Sequence, residues 1–74
     1  MAYSNILKKH YDSSNGSVLY LSNMQQVYKY LNAGAEVDLV DILYTNTKKD
    51  CLVFVFKKTQ FVADLYAKWQ NHEL

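Results

Sequence analysis

The chain contains no arginine, one cysteine, two glycines and no long apolar run, and each shortage excludes something. All eight basic residues are lysine. Arginine supplies the planar fork that grips phosphate and guanine, so a nucleic-acid binder without it, at a net charge of +1, is not expected. Cys51 stands alone, so the chain cannot form an internal disulfide, and its place in a hydrophobic run suits a small apolar side chain. His10 and His72 lie near opposite ends, outside any H-E-x-x-H or C-x-x-C pattern, so neither metal nor cofactor is expected. Gly16 and Gly34 are too few and too far apart for a phosphate-cradling loop. No stretch approaches the roughly 20 apolar residues of a membrane span. Met1 to Tyr11 lacks the apolar core of a secretion signal, so a cytoplasmic location is expected.

What is present is a small core. The chain has 74 residues, half of them hydrophobic, which allows one domain. A core of this size supplies only about 3–5 kcal/mol, and with disulfide and metal absent, association with another chain is the remaining aid.

Along the chain, residues 1–17 read as an N-terminal arm and residues 18–74 as the domain. Ser4 is placed to cap a short helix over Asn5 to His10, with Ile6, Leu7 and Tyr11 on its apolar side. Asp12 to Ser17 is a run of turn formers. Val18 to Leu21 reads as a strand. Ser22 and Gln25 have the spacing of a capping box for a helix to Ala33, stopped by Gly34. Met24, Val27, Tyr28 and Leu31 form its apolar stripe, with Tyr30 off it. Val37 to Thr45 and Cys51 to Phe56 read as two strands joined by the polar turn Asn46 to Asp50. Thr59 caps a last helix from Gln60 to about His72, with Phe61, Val62, Leu65, Tyr66 and Trp69 as its inner face.

The order β-α-β-β-α predicts an α+β fold: a three-stranded sheet in order 1-3-2, with two helices on one face. Alternation groups Leu52, Phe54 and Phe56 on one face and Cys51, Val53 and Val55 on the other, and the larger set is expected under the helices, where two stripes must be filled. In the preceding strand it groups Leu39, Asp41 and Leu43 against Asp38, Val40, Ile42 and Tyr44. Both faces are apolar, although a sheet with one wet face alternates. The second face is therefore expected to meet either another protein, most simply a second copy in a homodimer, or the folded-back arm with Ile6, Leu7 and Tyr11.

Asp38 and Asp41 point to opposite faces of a strand, and Asp64 with Lys68 is an ordinary helix pair, so no paired-carboxylate chemistry is expected. The candidate protein interface is Tyr20, Tyr30, Tyr44, Val53 and Val55, since tyrosine is enriched at interfaces. Phe54 and Phe56 followed by Lys57 and Lys58 have the composition of a base-stacking platform, but they fall on the helix face.

The strand and helix from Leu19 to Gly34, the run Val53-Phe54-Val55-Phe56, and the terminal Leu65-Tyr66-x-x-Trp69 together resemble a family of small proteins of unknown function from Gram-positive bacteria and their phages. The resemblance spans roughly residues 18–72 and brings no catalytic residues. It implies a setting in which small proteins bind and block host proteins. The expectation is a non-enzymatic protein that binds a host defence or regulatory protein, with a nucleic-acid-binding module as the alternative.

Overall fold

A computed structural model of the chain describes residues 1–46 and 49–74. The expected turn at Asn46 to Asp50 falls partly outside them, at Thr47 and Lys48. The fold is mixed α+β, with two helices and two sheets. The strands are β1 (Ala2–Ser4), β2 (Lys9–Tyr11), β3 (Val18–Leu21), β4 (Leu39–Thr45) and β5 (Cys51–Lys57). The helices are α1 (Met24–Asn32) and α2 (Gln60–Gln70), and a 3-10 turn covers Ala35–Asp38. In the larger sheet β5 lies between β3 and β4 and runs antiparallel to both. The smaller sheet is the antiparallel pair β1 and β2, so the described residues hold five strands where three were expected.

The N-terminal helix is replaced by this hairpin. Ser4 does behave like a cap, its Oγ accepting from Leu7 N at 2.9 Å. One helical bond follows, from Lys8 N to Ser4 O at 2.8 Å. Lys8 then adopts the left-handed conformation at φ 59°, which ends the turn and sends β2 back along β1. A cap with a single turn behind it is a hairpin loop, because nothing propagates the helix.

Helix α1 starts one residue later than the Ser22–Gln25 spacing predicts. Asn23 is the cap, accepting from Gln25 N and Gln26 N at 3.0 and 3.2 Å. Gly34 follows the helix at φ 104°, a conformation that costs a residue with a Cβ about 1 kcal/mol. The buried face is Gln26, Val27 and Tyr30, with Leu31 beside them; Met24 and Tyr28 are exposed. Tyr30 is fully buried. Its hydroxyl accepts from Gln26 Nε2 at 3.1 Å, and its ring tilts against Phe56 at 5.8 Å. A tyrosine with a polar partner inside is a core residue, which its position off the expected stripe concealed.

Thr59 caps α2, accepting from Val62 N at 3.3 Å. Val62 and Leu65 are buried, Trp69 packs at the core's edge, and Phe61 and Tyr66 are partly exposed. The core between helices and sheet is Leu21, Val27, Tyr30, Phe56, Val62 and Leu65, with Leu19, Leu39 and Phe54 beside it.

The strand expected from Val37 begins at Leu39, since Val37 and Asp38 belong to the 3-10 turn. A β-bulge follows. Leu39 pairs with Phe56 and Asp41 with Val55, so Val40 is an extra residue. The bulge shifts the alternation by one. Leu39 stays with the helix-side core, whereas Val40 packs with Val18, Val55 and Tyr11 on the opposite face. Asp41 also turns to that face, and Ile42 returns beside Phe54. Simple alternation therefore grouped Asp41 and Leu43 wrongly with Leu39, and Ile42 and Tyr44 wrongly with Val40.

Two substitutions test these elements. Lys8→Gly stabilises the chain by up to about 1 kcal/mol in urea unfolding, because glycine is free to adopt the left-handed turn; in a helix the same change costs about 0.5–1 kcal/mol. Tyr30→Ala removes about 3–5 kcal/mol, as much as a core of this size supplies, and abolishes cooperative unfolding, while Tyr30→Phe loses only about 1–2 kcal/mol with the Gln26 hydrogen bond.

Candidate functional site

The sheet face away from the helices carries the most informative surface. Part of it is covered by the N-terminal hairpin. Tyr11 of β2 packs against Val18, Val40 and Val55, which are buried. Beneath the hairpin lies Asp41, a carboxylate only 3 % exposed. It is well supplied with donors: Tyr11 Oη at 2.7 Å and its neighbour Ile42 N at 2.8 Å. The buried hydroxyl of Ser4, on β1, also favours the ionised form of this carboxyl. The hairpin thus supplies, through Tyr11, the one side-chain donor to this acid on β4.

The electrostatics follow from this arrangement. Burial alone pushes the Asp41 carboxyl upward, but the hydroxyls of Ser4 and Tyr11 and the N–H of Ile42 outweigh it and hold the group below the ordinary carboxylate value. Tyr11 moves the other way, its hydroxyl pushed up to about 12 by burial and then by the adjacent Asp41. A phenol that keeps its proton and a carboxylate that stays ionised make a hydrogen bond, not a proton-transfer pair.

Beyond the hairpin the same face remains open. Tyr20 pairs across from Val55 and is 52 % exposed. Leu43 pairs with Val53, with Leu43 38 % exposed and Val53 half-buried. Tyr20, Val53 and Leu43 form an apolar strip across β3, β5 and β4. Cys51, half-buried, lies at the far end of β5.

The five candidate interface residues separate on this map. Tyr20 and Val53 lie on the strip. Tyr44 is 64 % exposed but pairs with Leu52, which puts it on the helix-side face, and its hydroxyl donates to Asp50 at 2.7 Å. Tyr30 and Val55 are fully buried and cannot meet a partner. Tyr30 fills the helix-side core, and Val55 lies under the hairpin. Leu43 was missed as an interface residue, because its position on this face depends on the bulge; Asp41 was missed as a buried anchor for the same reason.

The aspartates are engaged in structural hydrogen bonds. Asp12 accepts from Ser14 N at 2.9 Å, Asp38 from Thr59 Oγ1 at 2.9 Å, and Asp64 from Gln60 Nε2 at 2.8 Å. Asp64 is thus bonded to the residue before it on the helix face, whereas Lys68 was the expected partner. Among the described residues no group of three or more His, Cys, Asp or Glu side chains could hold a metal ion. Among the described residues no helix is long and apolar enough to cross a membrane.

The Tyr11–Asp41 bond gives stability a pH signature. The Asp41 contribution is present above the ordinary carboxylate pKa and lost as pH falls through its lowered folded value. That of Tyr11 is present below about pH 10 and lost as pH rises towards about 12. Tyr11→Phe lowers unfolding free energy at neutral pH by about 1–2 kcal/mol. Urea midpoints across pH show a smaller acid-side loss and a shallower alkaline limb in the variant. Tyr30, raised by burial, and Tyr44, raised by its bond to Asp50, carry what remains of the alkaline limb.

Comparison with known proteins gives no matching family model, no matching curated protein and no matching solved structure.

Proposed function

We propose that this chain is a small non-enzymatic protein that works by binding another protein. The observation that carries the reading is the strip of Tyr20, Val53 and Leu43, an apolar surface beside a hairpin that covers only part of the same sheet face. Aromatic and aliphatic groups on a rigid sheet suit the centre of an interface, where desolvation supplies most of the binding energy. The use of the aspartates in internal hydrogen bonds supports a binding role over a catalytic one. In the bacterial and phage setting that the sequence resemblance implies, the partner is a host defence or regulatory protein, and binding blocks it. A homodimer would use the same strip.

The nucleic-acid reading finds less support on this sheet. Phe56 is fully buried and Phe54 packs against the helix-side core, so neither ring is free to stack a base.

A tagged chain used as bait in host lysate tests the proposal, with a Tyr20→Ser, Leu43→Ser double variant alongside. The wild-type chain captures one protein in stoichiometric amount, and the variant, folded by circular dichroism, loses it by about tenfold or more. Capture of nothing stoichiometric by the wild-type chain, or equal capture by both, contradicts the reading. Mass in solution separates a dimer from a monomer.

A further inference from the structure

Three of the eight lysines meet at a cleft away from the apolar strip. A cleft of about 670 Å³ lies between β2, the Asp12–Ser17 turn and the neighbouring ends of β3 and β5. Lys9, His10, Lys57 and Lys58 line it, together with the buried valines Val18 and Val40. Lys9 comes from the hairpin, and Lys57 and Lys58 lie where β5 leads into α2, so the cluster exists only in the folded chain. Its shape is held by the bond from Lys58 N to Ser17 O at 3.0 Å and by the left-handed Gly16 in the turn.

Two carboxylates also line the cleft, but both are occupied. Asp12 accepts from Ser14 N and from Ser17 Oγ at 2.9 and 3.2 Å, and Asp38 accepts from Thr59 Oγ1 at 2.9 Å. None of these donors is a lysine. Three lysines therefore line the cleft against two internally bonded carboxylates, a surplus of one positive charge among its lining side chains before His10 is counted. Like charges gathered in a concave site concentrate their field and favour an anion that offsets it.

We propose that this cleft binds a phosphate-bearing small molecule of nucleotide size. Its volume lies within the roughly 300–1,000 Å³ of small-molecule sites. Lysine ammoniums are suited to phosphate oxygens as point charges, and Val37, which also lines the cleft and is exposed, offers an apolar surface to the rest of the molecule. The site is separate from the Tyr20–Leu43 strip and does not depend on the protein-binding reading.

The test is titration of the isotope-labelled full chain with ADP, inorganic pyrophosphate and a short oligothymidylate at constant ionic strength, followed by amide chemical shifts. ADP is expected to shift the amides of Ser17, Val18, Lys57 and Lys58 saturably, with one site per chain. Lys57→Gln with Lys58→Gln weakens it by about tenfold or more, and Lys9→Gln alone by about threefold or more. Unchanged unfolding midpoints separate these losses from misfolding. Pyrophosphate saturating the same amides assigns recognition to the phosphates alone. Tighter binding of the oligonucleotide at those amides gives a nucleic-acid chain as the source of the phosphate. Absence of saturable shifts up to about 10 mM for all three ligands overturns the site, as does saturation elsewhere or affinity unchanged in both variants.

Discussion

A carboxylate removed from water must be supplied with donors, or it costs several kcal/mol or gives up its charge. Asp41 is in that position, and its side-chain donor, Tyr11, comes from the N-terminal hairpin. The requirement couples two parts of the chain that have no sequence proximity. Without the hairpin, Asp41 would face water beside Val18, Val40 and Val55, and that apolar cluster would lose the Tyr11 ring. With it, the small domain gains a second layer on the face its helices do not reach. The hydrogen bond and the burial depend on each other, because the bond fixes where Tyr11 packs and the packing excludes water from the bond.

The β-bulge at Val40 makes this coupling possible. It puts two consecutive residues of β4 on one face, one apolar and one acidic, opposite Val55. Without the extra residue Val40 and Asp41 would point to opposite sides, and one of them would be misplaced. The same shift puts Leu43 next to Val53, which gives the open strip its third member. Anchor and proposed binding surface thus share one local irregularity, as is common where bulges re-aim side chains.

The parts of the fold legible in the sequence were those with strong periodicity and clear punctuation. Val18 to Leu21, Cys51 to Phe56, the Thr59 cap and the Gly34 stop all fall in elements of the structure. Phe54 and Phe56 lie under the helices, as alternation predicts. The failures have local causes. Ser4 carries a cap signal, but Lys8 ends the turn after one bond, and conformation at a single lysine has no sequence signature. Tyr30 was set aside as off-stripe because Met24 and Tyr28 were counted as inner residues, yet its hydroxyl is satisfied by Gln26 and its ring can be buried. The bulge is invisible to alternation, which is why Asp41 read as an ordinary strand acid. Of the interface candidates, Tyr20 and Val53 lie on the open strip, whereas Val55 was taken by the hairpin that the arm forms. The sequence expectation of an arm folded over this face names Ile6, Leu7 and Tyr11 as its contacts. Tyr11 fills that role, while Ile6 is 61 % exposed.

The account stands on the hairpin lying over the second face of the sheet. Nuclear Overhauser contacts between the Tyr11 ring and the methyl groups of Val18, Val40 and Val55 measure this directly. The account predicts all three within one chain, insensitive to dilution. Their absence, or their appearance only between chains in an isotope-filtered experiment on mixed labelled and unlabelled protein, would contradict it.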